Sequence, residues 1–75
     1  MNATERIAKR LRQTREGRGL TRREVTDILG KHVQTLYRYE KGLTRPTYGT
    51  LEALCRLYGV SLASIVDQRN AKPNI

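Results

Sequence analysis

Apolar residues in this chain recur at helical spacing, and turn-forming residues cut the pattern into short lengths. After Thr21, the residues Val25, Ile28 and Leu29 fall at i, i+3 and i+4, which is one stripe of an amphipathic helix. Thr21 and Glu24 form the S/T-x-x-E pattern, in which a hydroxyl caps one helix N–H and the carboxylate reaches back to another. A helix is therefore predicted to start there. Gly30 ends it, since glycine takes the left-handed conformation of a helix terminus without a Cβ penalty. A second stripe, Val33, Leu36 and Tyr39, runs on to Gly42. So short a connection holds the two helices at a steep angle and lets the second project from the surface.

The rest of the chain reads the same way. Residues 1–3 are expected to fray, and Thr4 to cap a first helix from Glu5 to about Arg18 with Ile7, Ala8 and Leu11 inward. Gly17 and Gly19 bracket its end, and Leu20 drops into the core. GLTRPT, residues 42–47, reads as a loop, because the residue before a proline is pushed out of helix. Thr47 caps a fourth helix that buries Leu51, Leu54, Leu57 and Tyr58 before Gly59 closes it. Val60 enters the core, Ser61 caps a short last helix, and Leu62, Ile65 and Val66 give that helix an apolar side. The expected fold is all-α: a compact five-helix domain over residues 1–66, with helices 2 and 3 as a helix-turn-helix. Residues 67–75 offer nothing to bury and read as a polar C-terminal tail.

Composition narrows the function. Seventy-five residues, 37% hydrophobic and 29% charged, suit one small globular domain. The longest apolar runs are far too short to cross a membrane, and no signal segment opens the chain, so a cytoplasmic protein is expected. One cysteine, Cys55, and one histidine, His32, cannot build a disulfide framework or a zinc site. No cofactor, metal or small-molecule ligand is implied. No carboxylate pair, activated nucleophile or phosphate-cradling loop stands at usable spacing, which argues against an enzyme.

The charge points to a partner. The net charge is +8, and up to Arg45 twelve basic residues face five acidic ones, against three and two afterwards. A basic surface suits phosphate binding, because neutralising phosphates releases counterions. Acidic lipid would attract it too, but the apolar stripes are broken into short helices that can bury against one another.

Five segments, IAKRLRQTREGRGLT, EVTDILG, TLYRYEKG, Pro46 and LEALCRLYGVSLASI, together resemble the Cro and repressor type of helix-turn-helix domain, also called the xenobiotic response element family. The likeness runs from about Ile7 to Val66. It implies a homodimer on double-stranded DNA, with two third helices about 34 Å apart on a near-palindromic operator. It also implies base reading by Val33, Gln34, Thr35, Tyr37 and Arg38. Gln34 can pair in bidentate fashion with adenine, Arg38 with guanine, and Val33 can meet a thymine methyl. Phosphate contacts are expected from Arg22, Arg23, Thr44, Arg45 and Arg10. The acid matching Glu40 pairs in this family with the arginine matching Arg15, a structural tie between helices 3 and 1. Part of the apolar side made by Leu62, Ile65 and Val66 is expected to form the dimer contact.

The departures are informative. Thr26 stands where alanine is usual, Lys31 where an apolar residue is usual, His32 in place of a serine or threonine cap, and Arg22 where many relatives have glutamine. The expected function is a transcriptional repressor. The alternative is an antitoxin that binds a partner toxin and regulates its own operon.

Overall fold

The structure, a computed structural model, describes residues 2–66. Within them the chain forms five helices: α1 (Ala3–Gly17), α2 (Arg22–Leu29), α3 (Val33–Glu40), α4 (Tyr48–Tyr58) and α5 (Leu62–Val66). The fold is all-helical, as expected. The proposed tail, residues 67–75, lies outside the described residues.

Most boundaries follow side-chain chemistry. Thr21 and Glu24 form a reciprocal capping box at the start of α2, and Gly30 closes that helix at φ +69°. Thr47 Oγ1 accepts from the Thr50 N–H at the start of α4, and Ser61 Oγ from the Ser64 N–H at α5. The first helix corrects the sequence reading, because its cap is Asn2 and not Thr4. Asn2 Oδ1 accepts from the Glu5 N–H at 2.8 Å, and Glu5 Oε1 accepts from the Asn2 N–H at 3.1 Å. A capping box needs its acid three residues after the cap. Asn2 has Glu5 at that distance and Thr4 does not, so the helix starts earlier and orders Asn2 and Ala3.

In the packing, α1 lies against α3 and α5, α2 against α3, and α4 against α5. One core joins Ile7 and Leu11 of α1 to Val25, Leu36, Tyr39, Leu51, Leu54, Cys55, Tyr58 and Ile65. Leu57, Leu62 and Val66 are half-buried at its edge.

Two expectations about apolar residues change. Ile28 is not a core residue, being 63% exposed. At 3.6 residues per turn it lies about 60° to one side of Val25, whereas Leu29, Thr26 and Arg22 lie on the other, and that is the side α2 buries. Ile65 is 1% exposed and packs inside its own chain, so its side chain is not available as a dimer contact. Only Leu62 and Val66 of that trio keep part of their surface.

The core also sets an alkaline limit. Burial pushes the Cys55 thiol up from its ordinary value, and burial, helped by the nearby Glu40 charge and opposed by Arg15, pushes the Tyr58 phenol up much further. Tyr58 Oη is buried without a hydrogen-bond partner among the described residues. Both groups are acids held neutral in the fold, so the unfolded chain loses its protons first and gains as pH rises. Stability should be flat to about pH 8 and fall above about pH 9, by up to about 1.4 kcal/mol per pH unit for each group. Urea midpoints measured from pH 7 to 10.5 test this, and Cys55→Ser should remove the earlier part of the fall.

Candidate nucleic-acid interface

The turn between α2 and α3 is built differently from what its sequence suggested, yet it is regular. Buried Thr26 keeps its hydroxyl satisfied by donating back to the Arg22 and Arg23 carbonyls at 3.0 and 3.3 Å. Its own carbonyl accepts the Lys31 N–H at 2.9 Å. His32 then does the work of the usual hydroxyl: its Nδ1 accepts from the Gln34 N–H at 3.0 Å and caps α3. His32 stands where a serine or threonine cap is usual, but histidine is not among the favoured cap residues, so its position alone does not predict the bond.

The far end of α3 is held by a buried carboxylate. Arg15 Nε donates to Glu40 Oε2 at 2.8 Å and Arg15 Nη2 to Glu40 Oε1 at 3.0 Å, a two-point grip from α1. Arg15 Nη1 also donates to the Leu20 carbonyl at 2.8 Å. The hydrogen bond to Glu40 holds the Arg15 guanidinium above its ordinary pKa, against the opposing pull of burial. A second guanidinium joins from α2, where Arg22 Nε donates to Glu40 Oε1 at 2.9 Å. Arg22 also lies over the Tyr37 ring, 5.2 Å from its centroid, and Lys41 Nζ stands 5.7 Å from the same centroid. Three helices thus meet at Glu40, and the orientation of α3 is set from both sides.

What this scaffold presents follows from the helix faces. Gln34 and Arg38, one turn apart on α3, are exposed, while Val33, Thr35 and Tyr37 are half-buried along their flank. Arg38 Nε donates to Thr44 Oγ1 at 3.3 Å, and the Leu43 N–H donates to the Arg38 carbonyl at 3.0 Å, so the loop after α3 folds back onto its last turn. That brings Thr44 beside Arg38, with exposed Arg45 following it in the chain. Gly42, at φ +75°, makes the reversal possible where a side chain would be strained.

The other expected contact residues divide. Arg23 is exposed on α2. Arg22 is largely taken up by Glu40 and Tyr37, which ties it into the support of α3. Arg10 Nη1 donates to the Ile65 carbonyl at 3.2 Å and fastens α5 to α1, a structural task that the sequence did not reveal. Tyr37 carries the Arg22 and Lys41 cations on its ring, and Lys41 was not among the residues singled out from the sequence.

Comparisons with known proteins agree with this layout. A family model described as a helix-turn-helix domain matches residues 6–65. A curated relative, the cryptic phage CTXphi transcriptional repressor RstR of Vibrio cholerae, is 36% identical over 60 residues, covering 80% of this chain and 54% of its own length. The chain thus spans about half the length of that relative. No solved structure matches. With a capped helix pair, a carboxylate-braced third helix and a family match across nearly all of the described residues, the chain belongs to the Cro/repressor-type helix-turn-helix family.

Proposed function

We propose that this protein is a sequence-specific regulator that binds double-stranded DNA through α3 and represses transcription from a near-palindromic operator as a homodimer. One observation carries the reading. Gln34 and Arg38 stand exposed one turn apart on a helix braced at both ends, with Thr44 of the following loop bonded to Arg38 and exposed Arg45 next to Thr44 in the chain. Amide and guanidinium groups on a projecting helix suit adenine and guanine edges, and a basic loop suits the flanking phosphates. A repressor among the relatives, and a net charge of +8, support the same reading.

The test is selection of bound duplexes from a random pool at about 150 mM salt, where non-specific phosphate binding is already weakened. Enrichment of an inverted repeat with half-sites about one helical turn apart is expected. Failure to enrich any motif would count against sequence reading and favour a protein partner, as in an antitoxin.

Two variants then separate reading from anchoring. Arg38→Ala should cost about 1 to 3 kcal/mol on the selected site and relax preference at one position, whereas Arg45→Ala should weaken all sequences alike and flatten the salt slope by about one unit. Equal losses for Arg38→Ala on selected and random duplexes would remove its base-reading role.

The surface for pairing is the outer edge of α5. Leu62 and Val66 keep apolar area there, and sedimentation of Val66→Glu, folded by circular dichroism, is expected to show monomers where the parent shows dimers.

A further inference from the structure

His32 is exposed at the leading end of α3, and its ring has two nitrogens with different surroundings. Nδ1 accepts from the Gln34 N–H at 3.0 Å, so it carries no proton, and the neutral imidazole must hold its hydrogen on Nε2. The cap thereby fixes both the tautomer and the ring direction. What remains is a neutral N–H donor, fixed in place next to Val33 and Gln34. The same side chain lines a cleft between α2 and the turn, shared with Arg23, Thr26, Asp27, Lys31 and Val33. Arg23 and Lys31 give that cleft two cations against the one acid, Asp27. A serine or threonine at position 32 would cap α3 equally well but would end at its hydroxyl, with no second polar atom to offer.

We propose that His32 is a DNA-contacting residue with two simultaneous roles: its Nδ1 caps the recognition helix while its Nε2–H donates to a backbone phosphate seated toward Arg23 and Lys31. This rests on the reading that α3 enters a DNA groove, and extends it to a contact that registers the first turn of α3 against the backbone. The phosphate accepts at Nε2 without any change at Nδ1, so binding leaves the cap intact. Asp27 is the one acid in the cleft and opposes an anion there, which gives the proposal a sign that can be checked.

The experiment compares the parent chain with His32→Ser, Lys31→Gln and Asp27→Asn on one selected duplex, over a range of salt. His32→Ser keeps a cap acceptor, so its melting temperature should stay close to that of the parent, while affinity falls roughly tenfold for loss of a hydrogen bond to a charged acceptor. Its salt slope should not change, because no charge is lost. Lys31→Gln should weaken binding and flatten the slope by about 0.9, and Asp27→Asn should tighten binding. His32 is the sole histidine, so nitrogen NMR of histidine-labelled protein reads its tautomer directly. The expected spectrum has the proton on Nε2, and that resonance should move when duplex is added. Parental affinity in folded His32→Ser, an Nε2 resonance unmoved at saturation, or weaker binding by Asp27→Asn would each overturn the proposal while leaving DNA binding standing. Absence of duplex binding by the parent chain would instead overturn the underlying reading, and this proposal with it.

Discussion

Glu40→Ala is expected to leave the chain largely unfolded at 37 °C. The Glu40 carboxylate has no exposed surface, and it takes hydrogen bonds from both Arg15 and Arg22. Removing it leaves the Arg15 guanidinium, whose side chain is only 8% exposed, desolvated and beside a second cation. Breaking a buried pair from one side costs roughly 3 to 5 kcal/mol. A domain of this size holds little more than that in total. Each kcal/mol moves the midpoint of so small a domain by roughly 4 to 8 °C, so a drop of about 15 °C or more should appear in a thermal melt. Replacing both partners by apolar residues, as in Glu40→Leu with Arg15→Met, should recover part of the loss, since the uncompensated charge is gone. A single-variant drop below about 4 °C would show that water reaches the pair.

The second large effect is expected at Ile65. Its side chain is 1% exposed, and its carbonyl receives Arg10 from α1, so one residue anchors α5 in two ways. Ile65→Ala should cost roughly 2 to 5 kcal/mol through lost burial and the cavity left behind. Amide exchange should show the loss concentrated in α5 and the facing part of α1. Uniform loss of protection across all five helices would mean that α5 does not open separately. The same burial explains why an acidic residue at position 65 would report on folding and says little about association, whereas Val66 can report on pairing.

The sequence showed the helix pair because its punctuation is local. Thr21, Glu24, Gly30, Thr47 and Gly59 act on backbone groups within a few residues, and each does in the structure what its chemistry predicts. Features decided by tertiary packing, or by a choice between two similar residues, are not legible in that local punctuation. Asn2 and Thr4 are both cap residues, and only the distance to Glu5 separates them. Ile28 satisfies the helical period, but the period does not say which edge of a stripe the neighbouring helix covers. For Arg10 and Arg22, a charge count does not show the bonds to the Ile65 carbonyl and to Glu40 that the fold adds. His32 stands at the cap position, but its residue type does not indicate that the ring nitrogen accepts there, since imidazole seldom does so.

The meeting of α1, α2 and α3 at one carboxylate also decides which positions of α3 can change independently of the fold. Substitution at Gln34 changes what α3 presents without touching that carboxylate, whereas substitution at Arg38 also removes the bond to Thr44 in the following loop. Arg15, Arg22 and Glu40 share one ion-pair network, in which loss of Glu40 takes the carboxylate from two guanidiniums at once and loss of Arg15 leaves Glu40 with the Arg22 bond alone. The helix pair is therefore not a portable cassette: transplanted without its first helix it would keep the Arg22 bond to Glu40 but lose the two-point grip of Arg15, which is half of what sets the pose of α3.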